Sequence, residues 1–156
     1  MLDVPADVPP LLVALSLAST ALLGVVFATS PAPSPREAPL ADTVDTVAAA
    51  DTPGVETRAV DVPQIRIESQ ELAVSGPGGT SHASFAYGPV VPVHADTPLW
   101  RVLRGTPPDE VFESQFAFAN AAAAASTRDA QWRRGVDRLT VRRVNWGGVD
   151  VTLVGA

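Results

Sequence analysis

The sequence predicts a protein of the α+β class. It should have an N-terminal transmembrane helix, a Pro-rich stalk and a small antiparallel sheet, which is covered by one main helix and ends in a C-terminal β-hairpin. Residues 11–28 form an uncharged, Pro-free apolar run that is just long enough to span a bilayer. Apolar and polar residues alternate across 55–74 and 138–154, as in half-buried strands. Residues 109–125 carry a helical apolar pattern.

The predicted organisation has three parts: an N-terminal tail and transmembrane helix over 1–29, a linker over 30–39, and a soluble α+β domain over 40–156. A cleaved secretory signal is the alternative to a retained helix, and it requires basic residues before the apolar core. Asp3 and Asp7 precede this core instead, so we expect the helix to be retained. The linker reads SPAPSPREAP, and a Pro-rich segment of this kind acts as a semi-rigid spacer.

Two opposing signals bear on membrane orientation. Arg36 is the one basic residue near the apolar run, and by the positive-inside rule it favours a cytoplasmic head. The Pro-rich stalk is typical of domains held away from an outer surface. We expect a single-pass protein of the cell membrane with an extracytoplasmic soluble domain.

The composition is acidic and contains no Lys. All 11 basic residues are Arg, against 17 acidic residues, so the net charge is −6. Lys-free, acidic, Ala- and Val-rich chains are typical of halophilic archaea, although any GC-rich genome also replaces Lys by Arg. The chain has no Cys, which excludes a disulfide framework, a thiolate metal site and a cysteine nucleophile.

The first part of the predicted domain contains a helix and a series of strands. Three apolar residues at helical spacing predict a short amphipathic helix, ended by the DTPG sequence at 51–54: Leu40, Val44 and Val47. Residues 55–62 alternate as a strand, which we expect Pro63 to break. The GPGG sequence at 76–79 predicts a turn into a strand over 80–87, with Phe85 and Tyr87 on one face. Pro89 and Pro92 then force an extended edge segment.

Two helices should follow. Thr97 caps a short helix over 99–104, which Gly105 ends. Thr106 and Asp109 resemble a capping box at the start of the main helix. Four of its residues predict a stripe that faces the sheet: Phe112, Phe116, Ala119 and Ala123.

The chain should finish in a hairpin with Gly147-Gly148 as its two-residue turn. Pairing outward from this turn places one set of side chains on the core face: Trp146 with Val149, Val144 with Val151, and Arg142 with Leu153. The alternate pairs, Asn145 with Asp150 and Arg143 with Thr152, should face solvent. Trp100, Trp132 and Trp146 are expected to be core or boundary residues, with an exposed partner anchor as the alternative.

No catalytic, cofactor-binding or metal-ligating residues are predicted, and the protein is not expected to be an enzyme. His82, His94 and Asp96 could supply metal ligands, but their spacing matches no compact metal motif. Ser81 and Ser84 flank His82, yet adjacency in sequence does not make a catalytic triad. The GPGG turn lacks the following helix and the Lys of a phosphate-binding loop.

An arginine cluster is the strongest candidate for a binding surface. Six Arg residues fall within residues 128–143, and four of them are the candidate contacts for an anionic partner: Arg133, Arg134, Arg142 and Arg143. The alternative is a solvated face whose charges pair internally. If these side chains serve an anionic partner, their replacement by Gln should leave the fold intact. Nucleic acid is not an expected partner, because the net charge is negative and aromatic–basic stacking motifs are missing.

Three stretches of the sequence carry a family resemblance. The N-terminal MLDVPAD with the apolar run, TSHASFAYGPV at 80–90 and VRRVNWGGVDVTLV at 141–154 resemble an uncharacterised family of small haloarchaeal membrane-anchored proteins. The layout is also similar to that of type IV pilin-like envelope subunits, although Asp3 and Asp7 stand where their leaders carry basic residues. These motifs imply no site residues.

Two functions remain open at this point. The first is a non-enzymatic cell-envelope protein that acts as an interaction or assembly component, accessory to a pilus-like or secretion apparatus, with a protein partner. The second is a membrane-tethered sensory or ligand-binding domain for an anionic ligand. The first predicts a flat or apolar exposed surface, and the second predicts a concave pocket lined by several Arg residues.

Overall fold

The structure is a computed structural model that describes residues 37–156. The predicted transmembrane helix and the linker up to residue 36 lie outside this range. Between residues 37 and 156, no helix combines the length and apolar character needed to cross a bilayer. The elements, in chain order, are α1 (Ala38–Ala49), β1 (Val55–Ile67), β2 (Glu71–Gly76), β3 (Gly79–Ser84), β4 (Val91–Pro92), α2 (Pro98–Leu103), a 3₁₀ turn (Pro108–Glu110), α3 (Gln115–Ser126), β5 (Arg133–Trp146) and β6 (Val149–Gly155).

The strands form one six-stranded sheet in the order β3-β2-β1-β5-β6-β4. Every neighbouring pair is antiparallel except β4 and β6, which are parallel over two residues. The α+β class predicted from the sequence is confirmed. Register between β5 and β6 is the one predicted, with Trp146 opposite Val149 and Arg142 opposite Leu153. The turn glycines Gly147 and Gly148 have φ of 59° and 85°, as the two-residue turn requires.

Helices cover both faces of the sheet, so the prediction of a single covering helix is wrong. Leu153 and Val154 are adjacent on β6, and their side chains therefore point to opposite faces. Val154 packs in a cluster with Leu40 and Val44 of α1. Leu153 packs in a second cluster with Val102 of α2 and with α3. Each face of β5 and β6 is thus buried by a different helix layer.

The hairpin face that was expected to be solvated is consequently buried in part. Thr152 is only 8% exposed, because α1 lies over that face of the sheet. Asn145 and Asp150, nearer the turn, are exposed as expected. On the predicted core face Val144 and Leu153 are buried, whereas Trp146 is half-buried beside Phe118, with ring centroids 6.0 Å apart.

The main helix, α3, begins later than predicted and faces the sheet with different residues. Its N-cap is Ser114, whose hydroxyl accepts a hydrogen bond from the Ala117 N–H at 3.2 Å. A 3₁₀ turn occupies the predicted start, because the residues after Pro107 and Pro108 do not continue into an α-helix. Three residues one turn apart carry the packing: Phe118, Ala122 and Ala125. Phe116, predicted to face the sheet, is 75% exposed.

Pro63 does not break the first strand. β1 runs through it from Val55 to Ile67. The ladder to β2 starts only at Gln64, opposite Ser75, and the register with β5 shifts between Ala59 and Val62. Pro63 therefore precedes the β1–β2 ladder, so β2 does not need a backbone N–H from this residue. Strands tolerate proline at such positions.

Other elements match their predicted positions closely. α1 carries the predicted stripe and starts at Ala38, two residues before the predicted start of the domain. Thr97 caps α2, since its hydroxyl accepts from the Trp100 N–H, and Gly105 follows with φ of 116°. β3 ends at Ser84 rather than at residue 87. The N–H groups of Ala86 and Tyr87 donate to the Asp45 carboxylate of α1 instead of extending the strand. Tyr87 is 59% exposed, contrary to prediction.

Candidate anion-binding groove

Arg143, the last of the four candidate arginines, is held inside the domain. Its Nε and Nη2 donate to the two carboxylate oxygens of Asp150 at 3.1 and 2.8 Å, a bidentate pair on neighbouring strands. Nη1 donates to the carbonyl oxygens of Ala48, at 2.8 Å, and Ala50. The hydrogen bonds between Arg143 and Asp150 raise the pKa of Arg143 and lower that of Asp150. Arg143 thereby ties the C-terminal end of α1 to the hairpin.

Arg142 makes the matching contact on the other face. Its Nη1 donates to the carbonyl oxygens of Val102 and, at 3.2 Å, Thr106. The Val102 carbonyl lies in the last turn of α2, where positive charge is favoured, and Thr106 lies in the segment that follows the helix. Arg142 thus stabilises the end of a helix from within the fold.

Arg133 also bonds to main-chain acceptors. It donates to the Ala156 oxygen at 2.7 Å and to the Val93 carbonyl at 3.2 Å, which links the start of β5 to the β4–β6 edge of the sheet. Partial burial lowers the pKa of Arg133. Its guanidinium has five N–H donors, so it retains donors beyond these two bonds.

Arg134 differs from the other three because it is exposed, and it lines a groove together with Arg133. The groove has a volume of about 480 Å³ and lies between α2 and the first half of β5. Four arginines contribute to its wall: Arg104 from α2, and Arg133, Arg134 and Arg138 from β5. Trp100 and Val136 supply apolar surface, and Asp137 is the one acidic side chain among the described residues of the lining.

The groove arginines are available to a ligand. Within residues 37–156, no carboxylate lies within 4 Å of the guanidinium of Arg104, Arg134 or Arg138. All three are exposed in the described domain. Arg104 follows α2 and Arg138 lies on β5, and Gly135, which also lines the groove, has φ of 64°.

Arginines near the groove also act on His94 at the neighbouring edge of the sheet. His94, which follows β4, has a lowered pKa because it is partly buried and because Arg133 and Arg128 repel its protonated form. The positive charges of Arg133 and Arg128 likewise favour an anion that approaches from this side.

The other sequence candidates are placed apart. His82 lies on β3 and His94 follows β4, and these are the two outermost strands of the sheet order. Nδ1 of His82 lies 3.1 Å from Oε1 of Glu71, and no described Ser or Thr hydroxyl bonds to this ring. Among residues 37–156, no three His, Cys, Asp or Glu side chains form a cluster suited to a metal ion.

The three tryptophans have separate environments. Trp100 is half-buried and lines the groove, and Trp146 is half-buried against Phe118. Trp132 is 37% exposed and stacks on the Arg66 guanidinium, which lies 5.2 Å from the ring centroid. This stacking is a cation–π contact within the domain.

Sequence reasoning found part of the groove and missed the rest. Arg133 and Arg134 are among the four candidates predicted from the sequence, and Arg138 belongs to the wider cluster. Arg104 lies outside that cluster and was not considered. Its signal was available: it follows a short helix, and the end of such a helix can lie beside the strands that it packs on.

Fold and groove together define an α+β domain with helices on both faces of a mixed sheet and an arginine-lined groove on its surface. The chain belongs to a family of unknown function, DUF7283, whose model matches residues 3–144. The match includes the apolar run at 11–28 and most of β5. Neither a curated protein nor a solved structure matches the chain.

Proposed function

We propose that this protein is a non-enzymatic, membrane-tethered binding protein whose soluble domain recognises an anionic group in the arginine groove. The observation that carries this proposal is the convergence of Arg104, Arg134 and Arg138 on one concave surface without acidic partners in the described domain. Guanidinium groups favour phosphate and carboxylate because their planar donors match two acceptor oxygens.

The dimensions of the groove support a ligand or a partner segment of moderate size. Its volume of about 480 Å³ falls within the range typical of ligand sites. Trp100 and Val136 add apolar contact beside the charged groups, a combination that can orient a ligand as well as attract it. The exposed apolar side chains, by contrast, are scattered over different elements: Val55, Tyr87, Phe116 and Trp132. They do not favour a flat apolar interface.

A titration with two anionic probes tests the proposal. The full-length protein in neutral detergent is titrated with inorganic pyrophosphate and, separately, with a Glu-rich peptide, while tryptophan emission reports on Trp100 in the groove. Saturation by pyrophosphate alone indicates a phosphorylated ligand, and saturation by the peptide indicates an acidic protein partner. If neither probe saturates, the proposal is wrong.

A matched pair of variants on α2 distinguishes the groove from net charge. Arg104→Gln removes a groove guanidinium, whereas Arg101→Gln removes an exposed charge three residues earlier that does not line the groove. Loss of a charge-assisted hydrogen bond should weaken binding by about tenfold or more in the first variant. Equal weakening in both variants would mean that the probe senses only overall charge.

The membrane anchor is a second part of the proposal, and residues 11–28 support it by their length and lack of charge. Mass spectrometry of the membrane fraction should find the N-terminal segment retained, and a mature N-terminus after residue 28 would contradict this. Protease added to intact cells should remove a C-terminal tag if the soluble domain is extracytoplasmic. A tag protected until lysis would reverse the orientation.

A role in the cell envelope is the third part of the proposal. A tethered domain with an anion-binding groove suits an interaction or assembly component of the cell envelope, of which a pilus-like or secretion apparatus is one example. The Lys-free, acidic composition supports a halophilic source, where molar salt shortens the Debye length to about 3 Å. Binding under such conditions depends on direct hydrogen bonds from the groove arginines rather than on long-range attraction.

A further inference from the structure

The two edges of the sheet are protected very differently. The β4 edge is a two-residue strand that contains Pro92 and follows Pro89, and short Pro-containing strands discourage further pairing. The β3 edge is six residues long, has a continuous ladder to β2 without a bulge, and contains no Pro, Lys, Arg, Asp or Glu. In the part of the chain that the structure describes, no strand lies beyond it.

Hydrogen bonding to β2 determines which backbone groups of β3 point outward. Gly76 and Gly79 face each other across the turn, and further along the Phe85 N–H donates to the Gln70 carbonyl at 2.8 Å. Because hydrogen-bonded pairs alternate along an antiparallel ladder, the N–H and C=O groups of the intervening even-numbered residues point away from β2. These residues are Thr80, His82 and Ser84, and all three are exposed.

We propose that β3 pairs antiparallel with β3 of a second copy of this chain, so that two sheets join edge to edge around a two-fold axis at His82. This register uses all three outward-facing residues, because Thr80 then faces Ser84 of the second copy and His82 faces its own equivalent. Each of these pairs can exchange two backbone hydrogen bonds. An antiparallel pairing of two β3 strands in any other register leaves at least one of these three residues without a partner.

Side chains and charge fit this self-pairing. Thr80 of one copy and Ser84 of the other are small hydroxyl residues, and such residues form favourable cross-strand pairs. Ser81 faces the small side chain of Ala83 of the second copy. His82 is kept aside by its contact with Glu71. The chain carries a net charge of −6, and an uncharged edge is where two copies can approach without placing like charges opposite each other. Strand pairing alone makes a small interface, so the association should be weak in solution and favoured by tethering to one membrane.

The lack of Cys in this chain allows a register-specific test. In the proposed dimer, two copies of residue 82 have Cα atoms about 5.5 Å apart, within the range that a disulfide can bridge. Two copies of residue 84 are four residues out of register, about 14 Å apart, and cannot be bridged. Full-length His82→Cys in neutral detergent should therefore oxidise to a disulfide-linked dimer, whereas Ser84→Cys and Thr80→Cys should each form no disulfide-linked dimer on their own.

A mixture of the two control variants completes the test. Thr80→Cys mixed with Ser84→Cys should give a heterodimer that neither variant gives alone, because those residues face each other in the proposed register. In sedimentation velocity, His82→Pro should lower the dimer fraction of the otherwise unmodified chain, since proline removes an outward N–H that β2 does not use. Circular dichroism verifies that this variant remains folded. Equal oxidation rates at residues 80, 82 and 84 would overturn the proposal.

Discussion

Arg142 and Arg143 are adjacent on β5, and each binds the C-terminal carbonyls of a different helix on opposite faces of the sheet. Arg142 donates to Val102 in the last turn of α2 and to Thr106 just after it, and Arg143 donates to Ala48 and Ala50 at the end of α1. Successive side chains of a strand point to opposite faces, which explains why two neighbours reach two helices. One dipeptide therefore joins the two helix layers to the central strand.

Replacement of Arg142 should destabilise the domain. Arg142→Gln removes charge-assisted hydrogen bonds to the carbonyls of Val102 and Thr106, and we expect the free energy of unfolding to fall by about 1.5–3 kcal/mol. Urea denaturation followed by circular dichroism measures this change. Arg138→Gln is the matched control, because that side chain is exposed and its loss should change stability little. Equal stability of the two variants would contradict the structural role of Arg142.

The Arg143–Asp150 pair should contribute to acid stability. Hydrogen bonding from Arg143 lowers the pKa of Asp150 below its ordinary value of 3.8 in the folded state. The pair therefore stabilises the fold above about pH 4, and that contribution is lost as pH falls through the lowered folded pKa. Asp150→Asn should be less stable than the unmodified protein near neutral pH, and the difference should shrink on acidification. A constant difference between pH 2.5 and 6 would show that the charge pair is not involved.

His94 should make the fold sensitive to mild acid. Burial, with repulsion from Arg133 and Arg128, lowers its folded pKa below the ordinary value of 6.5. The unfolded chain therefore takes up a proton more readily as pH falls below 6.5, and stability is lost between that pH and the lowered folded pKa. Urea midpoints measured from pH 8 to pH 5 should fall less steeply for His94→Asn than for the unmodified protein. Identical slopes would contradict this assignment.

Phe118 should matter far more than Phe116, although both lie on α3. Phe118 is fully buried against Phe112 and Trp146, so Phe118→Ala should cost about 3–5 kcal/mol. Phe116 is 75% exposed, and Phe116→Ala should have little effect on stability. Thermal unfolding of the two variants compares them directly. A larger loss for Phe116→Ala would restore the apolar stripe predicted from the sequence.

Local patterns predicted much of this fold. The Gly147-Gly148 turn fixes the β5–β6 register, because a two-residue hairpin leaves one pairing. The N-cap Thr97 with Pro98 likewise fixed the start of α2. The predicted start of α3 is wrong because the sequence offers two N-caps. Thr106 and Asp109 have the spacing of a capping box, and Ser114 is the N-cap in the structure. Sequence alone does not decide between two adequate caps.

Long-range contacts explain the remaining differences. The acceptor of Arg142 at Thr106 is 36 residues away in the chain, and the acceptor of Arg143 at Ala48 is 95 residues away. Nothing in the sequence near the two arginines indicates these hydrogen bonds. The covering of both sheet faces depends on α1 packing on one face and α2 and α3 on the other, which periodicity within each helix does not reveal. Arg104 was missed for the same reason, because its place in the groove depends on where α2 packs.

Side-chain NMR of the groove arginines tests the central claim most directly. The Nε–H resonances of Arg104, Arg134 and Arg138 are assigned with the three single Arg→Gln variants and followed as inorganic pyrophosphate or the Glu-rich peptide is added to the full-length protein. The proposal predicts that these three resonances shift together and saturably with one of the probes, while Arg101 and the internally bonded Arg142 stay in place. Uniform small shifts of every exposed arginine, or no shift in the groove, would contradict the assignment of this groove as an anion-binding site.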